Sequence, residues 1–187
     1  MHELKVWKLV KRSTVPRDKR LIKNRWLFEI KRNGTFRARL VACGYSQVGG
    51  QDFDQVYNSI VNDVTFRIML IAKMYLRLDS LIFDVSVAFL NAEMDMENYM
   101  RIPEGVDASE YECALLLKAL YGTVQVSRQW GLKFASIVKK FGFTQSAADP
   151  CLFTRRNSLG LVIMCIYIDD GFAIGDRPAL EQMVAQI

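Results

Sequence analysis

The amino-acid sequence predicts an α+β domain, with helices grouped against an antiparallel sheet. Three observations point there. "RWLFEIKRNGTFRARLV" sets Asn33-Gly34 between two alternating runs. Residues 63–78 and 127–141 space their apolar side chains as helices do. "PCLFTRR", "LGLVIMCIYI" and "GFAIG" are apolar runs divided by turn residues. With 187 residues, 51% of them hydrophobic and 24% charged, the chain suffices for one globular domain or for a fragment of a larger one.

Each element has a local cause. "RSTVPRDKR" reads as a basic loop. The hairpin after it takes its turn from Asn33-Gly34, which favours type I′ because both central residues adopt positive φ. Trp26, Phe28 and Ile30 share one face of the first arm. Lys31, Arg32, Arg37 and Arg39 place cations around the tip and the second arm. The helix over 63–78 is capped by Asp63 and carries Phe66, Met69, Leu70, Lys73, Met74 and Leu78 on one side. "SLIFDV" reads as a short, mostly buried strand ending in Asp84. "SVAFLNAEM" reads as a turn into a helix, and "YMRIPEG" as an extended segment stopped by Pro103. The helix over 127–141 turns Trp130, Phe134, Ile137, Val138 and Phe141 inward. Two strands then meet at a turn over Asn157–Gly160. A further hairpin arm follows Asp169-Asp170, and Pro178 starts a final helix.

Composition narrows the chemistry. The one histidine is His2, and Cys43, Cys113, Cys151 and Cys165 form no CxxC pair, so neither a zinc site nor a histidine base is expected. Cys151 and Cys165 lie in apolar runs and read as reduced core residues. Carboxylates, lysines or a metal must carry any reaction. "MHELKVWKLVKR" has no apolar signal region and "LVIMCIYI" is too short to span a bilayer, which predicts a soluble intracellular chain. Residues 1–50 hold 13 Lys/Arg against three acids, Glu3, Asp18 and Glu29, whereas the remainder holds 12 against 17. Such asymmetry suits a polyanion partner, nucleic acid or phosphate, or else a solvated basic face.

Two carboxylate features stand out. Asp84 ends one strand, and Asp169 and Asp170 sit at a hairpin turn. If these segments pair in one sheet the carboxylates converge, because neighbouring strands lie about 5 Å apart. Clustered carboxylates repel one another unless a cation neutralises them, and hard oxygen donors suit Mg²⁺ or Mn²⁺. Two such ions can activate an attacking 3′-hydroxyl and stabilise a leaving pyrophosphate, without any histidine. The alternative is that Asp-Asp-Gly is simply a hairpin turn.

From Trp7 to Asp176 the chain resembles, collinearly, the reverse transcriptase domain of copia-type LTR retrotransposons. The matching pieces are "VWKLV", "RWLFEIKRNGTFRARLVACGYSQ", "FDVSVAFLNAEMDMENYMRIPEG", "LKALYG", "RQW", "FGFTQSAADPCLF" and "YIDDGFAIG". The resemblance implies a single partial domain over 1–187 with a fingers–palm fold and an antiparallel palm sheet packed by helices. About 1–60 would be a basic fingers hairpin region, and about 61–187 mainly palm with interleaved fingers helices. It implies an RNA-directed DNA polymerase that uses dNTPs, an RNA or DNA template-primer and two Mg²⁺ (or Mn²⁺) ions. Asp84 matches the first metal-binding aspartate. Asp169 and Asp170 match the YxDD pair, whose first member usually does most of the liganding. Val85 would offer a backbone carbonyl near the metal or triphosphate. Phe89 matches the aromatic gate that excludes a ribose 2′-hydroxyl, with core packing as its other reading. Gln125 matches the glutamine lining the nucleotide pocket. Arg37 and Arg39 lie where the fingers hairpin meets the triphosphate, and alternation puts both on one face.

The chain departs from the family pattern at several points. "YGLKQAPRxW" reads "YGTVQVSRQW", with Thr123, Val124, Val126 and Ser127 changed. Cys43 replaces an arginine, "YNSIV" stands at Tyr57 to Val61 for "FAPV", and Ala92 replaces a glycine. The aspartates are spared and the shell around them is expected to be eroded. The chain stops soon after the YIDD hairpin, with no thumb, so weak grip on the duplex and little processive synthesis are expected. The alternative function is a non-catalytic nucleic-acid-binding remnant. The resemblance implies a chain cut from a larger Pol polyprotein and assembled in a virus-like particle, with a cytoplasmic or nuclear location.

Overall fold

A computed structural model of the chain describes residues 5–85, 88–108 and 111–187. In chain order the elements are β1 (Trp7–Val10), β2 (Leu21–Ile22), β3 (Asn24–Ile30), β4 (Phe36–Ala42), α1 (Asp63–Leu76), β5 (Asp79–Asp84), β6 (Glu93–Arg101), β7 (Cys113–Lys118), α2 (Val126–Lys140), β8 (Thr144–Gln145), β9 (Leu152–Asn157), β10 (Gly160–Tyr167), β11 (Asp170–Gly175) and α3 (Arg177–Gln186). They form the expected α+β architecture, in two units. One comprises Met1–Tyr57 with Phe89–Trp130, the other Asn58–Ala88 with Gly131–Ile187.

The first unit holds a four-stranded sheet in the order β1-β7-β6-β2, antiparallel except for the β2–β6 pair. β7 is central, and Cys113, Ala114, Leu115 and Leu116 are all buried. A strand covered on both faces is uniformly apolar and shows no alternation, so "CALLLK" carries no periodic signal. Ala114 and Leu116 join Val6, Ile22, Met100 and Leu120 in one core, while Cys113 and Leu115 pack with Val15 and Tyr99 in another.

The β3–β4 hairpin forms in the register Ile30↔Phe36 to Asn24↔Ala42. Its turn is not type I′. Gly34 N donates to Lys31 O at 2.8 Å, and of the turn residues only Gly34 has positive φ, 79°. Asn33 instead accepts Thr35 N on its side-chain oxygen at 3.1 Å, which satisfies the loop without a left-handed backbone. At the base of the hairpin Leu40 and Ala42 are buried. Near the tip Phe28 and Ile30 are 79% and 64% exposed, so of the predicted apolar face only Trp26 is partly covered.

The second unit is built on a five-stranded antiparallel sheet, β5-β11-β10-β9-β8. β5 lies at its edge and alternates in exposure, with Ile82 81% exposed, so it is not the mostly buried strand predicted. α1 is capped by Asn62, not Asp63. Asn62 keeps extended φ/ψ and its side chain accepts Val64 N at 2.9 Å, whereas Asp63 is already helical. Met69 is buried against Cys165 and Ile174, and Phe66 meets Phe172 at 5.2 Å. Leu70 and Met74, expected on the same side, are exposed. The helix predicted over "SVAFLNAEM" is instead a 3₁₀ turn at Ala88–Asn91 that leads into β6; Ser86 and Val87 lie outside the described residues. α2 buries Trp130, Phe134 and Val138 as predicted, and Phe134 meets Phe153 edge-on at 5.7 Å. α3 carries Pro178 in its first turn and buries Ala179, Leu180 and Met183. Among the described residues no helix is long and apolar enough to cross a membrane.

Candidate active site

The site begins at the hairpin between β10 and β11. Tyr167 pairs with Asp170, so the turn itself is only Ile168-Asp169. Ile168 has φ 60°, a left-handed conformation that a β-branched residue seldom adopts. Holding it there costs about 1–3 kcal/mol, and such strain gathers at functional sites. Gly171 is not in the turn at all. It sits in β11 opposite Phe83, and a Cβ on it would lie 2.1–2.5 Å from the Phe83 ring. The three letters of Asp-Asp-Gly therefore do three different things. The first is in the turn, the second opens a strand, and the third admits a ring. A type II′ hairpin ordinarily places a glycine where Ile168 is.

β11 pairs with β5, and the register sets Asp170 directly opposite Asp84. Directly opposed residues point to the same face, with Cβ atoms about 4.5–5.5 Å apart. Both are exposed and Asp169 is half-buried. Backbone bonds gather the rest. Val85 N donates to Asp169 O at 3.1 Å, and Val85 O accepts Ala88 N at 3.2 Å. Asp84, Val85, Asp169 and Asp170 thus meet at one end of one sheet, as expected if the two segments paired. Among the described residues none of the three carboxylates has a cationic partner. Like charges opposed across strands repel, so this pair stands against its own electrostatics. In kind, the donor set suits a hard divalent cation. In placement, no three His, Cys, Asp or Glu side chains among the described residues gather into a group able to hold one by themselves.

The other predicted residues belong to the first unit. Phe89 is buried in the 3₁₀ turn and meets Tyr121 edge-on at 4.6 Å. Gln125 is fully buried, its side-chain amide donating to Asp52 O at 2.9 Å. Arg37 and Arg39 share a face of the hairpin. Arg39 is engaged by Glu29 at 3.5 Å, while Arg37 is exposed and unpaired among the described residues. Sequence reasoning passed over Gln47, Asp52 and Asn98, which surround Gln125. No residue pattern singled them out, because the burial of Asn98 inside β6 shows only in the structure.

Two of the departures from the family pattern, Thr123 and Ala92, are accommodated locally. Thr123 is buried and its hydroxyl donates to Leu120 O at 2.8 Å. Ala92 is buried, donates to Phe89 O and accepts Ala119 N at 2.8 Å, without the positive φ that would call for glycine. All four cysteines are free thiols, and burial pushes Cys151 and Cys165 up to about 11.

Comparison with known proteins identifies the family of the chain. The family described as "Reverse transcriptase (RNA-dependent DNA polymerase)" matches residues 4–185. The chain is similar to the retrovirus-related Pol polyprotein from transposon TNT 1-94 of Nicotiana tabacum, 34% identical over 174 residues, covering 89% of this chain and 13% of that protein. It is 32% identical over 164 residues to the Pol polyprotein from transposon RE1 of Arabidopsis thaliana, covering 83% and 11%. It is 30% identical over 158 residues to the transposon Ty1-DR5 Gag-Pol polyprotein of Saccharomyces cerevisiae, covering 81% and 8%. The chain thus spans 8% to 13% of the length of these relatives.

Proposed function

The chain belongs to the reverse transcriptase family, as carried by copia-type retrotransposon Pol polyproteins, and on that premise we propose that it is the fingers–palm portion of an RNA-directed DNA polymerase. The observation that carries this reading is the direct pairing of Asp170 with Asp84 beside a strained Ile168-Asp169 turn. The five-stranded sheet is the palm, and residues about 1–60 supply the fingers hairpin. The chain works as one segment of a longer polyprotein, in a cytoplasmic virus-like particle or the nucleus.

Asp84, Asp169 and Asp170 would hold Mg²⁺ or Mn²⁺, which supplies activation of the primer 3′-hydroxyl and charge neutralisation on the leaving pyrophosphate. Mg²⁺ is usually held by one or two carboxylates together with water and substrate phosphates, so a cage made only of protein is not needed. Asp84 and Asp170 present their oxygens from one face. Asp169 is fastened through its carbonyl to Val85, whose own carbonyl keeps a second lone pair beyond the bond to Ala88. Arg37, unpaired among the described residues, is the cation for the dNTP triphosphate, since Arg39 is engaged by Glu29. Phe89, braced by Tyr121, excludes a ribose 2′-hydroxyl. The turn that carries Gln125 lines the nucleotide pocket.

The test is incorporation of a single dNTP onto a primer-template in Mg²⁺ or Mn²⁺. Asp84→Asn and Asp170→Asn are each expected to lower the rate by on the order of 100-fold or more while nucleic-acid binding persists. Equal incorporation by Asp84→Asn would sink the proposal. Salt-sensitive binding with no incorporation by any form would favour the non-catalytic nucleic-acid-binding remnant.

A further inference from the structure

We propose that Gln47 is a positioning residue for the nucleotide pocket, acting through the Val124–Gln125 turn; this rests on the assignment of that turn to the pocket. The Gln47 side chain makes three bonds. Its Oε1 accepts Val124 N at 2.7 Å. Its Nε2 donates to Gln125 Oε1 at 3.0 Å and to Asn98 Oδ1 at 2.8 Å. Gln125 Nε2 and Asn98 Nδ2 then converge on Asp52 O, at 2.9 and 2.8 Å. Three side-chain amides and one peptide carbonyl close a network in which Gln125 and Asn98 are fully buried. Gln125 cannot swing toward a ligand without leaving buried groups unpaired. What it offers a nucleotide is therefore the fixed position of its turn.

That turn is held at both ends, by different means. At Tyr121-Gly122 the latch is main chain. Tyr121 O accepts Ala42 N at 2.7 Å, and Gly122, at φ 87°, leaves no room for a Cβ, which would lie 2.1 Å from Ala42 O. At Val124-Gln125 the latch is the Gln47 side chain. The loop that carries Gln47 is itself anchored, because Asp52 Oδ2 accepts Val48 N at 2.8 Å and Asp52 Oδ1 lies 3.9 Å from Lys19 Nζ. Only an amide of this length supplies one acceptor and two donors at once. Glutamate keeps the acceptor and sets a carboxylate against two carbonyl oxygens, whereas alanine removes all three bonds.

Steady-state incorporation of one dNTP by the full chain tests this, with Gln47→Ala, Gln47→Glu, Gln125→Ala and the Gln47→Ala/Gln125→Ala double variant. Both Gln47 variants should raise KM for dNTP about ten-fold while KM for primer-template stays within about two-fold. The double variant should be no worse than Gln125→Ala, because coupled residues are non-additive. Thermal unfolding is followed in parallel, and Gln47→Glu, which keeps the Val124 contact, carries the test if Gln47→Ala fails to fold. Unchanged dNTP KM, or strictly additive effects, overturns this inference and leaves the polymerase reading intact. No incorporation by the unsubstituted chain overturns both.

Discussion

Gly171 shows how much one missing methyl decides. The Phe83 ring occupies the space that any side chain there would fill, and Gly171 follows the residue paired with Asp84. Gly171→Ala should therefore cost about 1–3 kcal/mol by overpacking, read as a shift in the urea midpoint. Phe83→Leu in the same chain should restore part of it. Incorporation should fall more than stability, because Asp170 moves with its neighbour. If Gly171→Ala unfolds at the same urea concentration as the parent, the ring is not where the structure puts it. The aspartates were legible in the sequence by type and context, since carboxylates beside apolar strands are rare. The role of Gly171 was not, because turn glycines and packing glycines are spelled alike. Nor was the strain at Ile168, which no side-chain pattern encodes.

Among the elements, the start of α1 and the start of β9 are joined by one carboxylate. Asp149 is buried, and its two oxygens accept Asn62 N and Cys151 N, each at 2.9 Å. Burial pushes this carboxyl up, but hydrogen bonds from Thr65, Asn62 and Cys151 outweigh it and hold the group below its usual range. A depressed folded value stabilises the protein above the unfolded carboxyl pKa, about 3.9, and that contribution is lost as pH falls through the folded value. Asp149→Ala should lower stability by about 2–3 kcal/mol near neutral pH. In chemical unfolding at a series of pH values, its deficit relative to the parent should shrink below about pH 4. A constant deficit across that range would remove the charge from the account. Amphipathic elements such as α2 were legible because one apolar side and one polar side leave a period in the sequence. β7 was not, since burial on both sides erases the period. α1 was half legible: Met69 and Phe66 pack as their spacing suggests, but the neighbouring Leu70 and Met74 do not.

At the scale of the molecule, charge and chain path matter most. The basic first 50 residues end in a hairpin whose tip carries Lys31 and Arg32. Binding to duplex nucleic acid should weaken steeply with salt, by about 0.9 in log–log slope per phosphate contact. Arg32→Ala should reduce that slope by about one, measured by anisotropy titrations at several salt concentrations; an unchanged slope would take the tip out of the interface. The basic bias was legible from composition and its placement around a hairpin tip from Asn33-Gly34 between alternating runs, whereas the exposure of Phe28 and Phe36 beside it was not. The interleaving of the two units was invisible to local patterns, because it depends on pairings between distant segments. It also sets a timetable. β1 pairs with β7, Trp7 opposite Leu116, and β5 pairs with β11, Asp84 opposite Asp170. On a ribosome adding about 5–20 residues per second, β1 emerges seconds before its partner β7 exists. Both larger sheets are completed by a segment synthesised late, so a nascent chain must shield β1 and β5 while they wait.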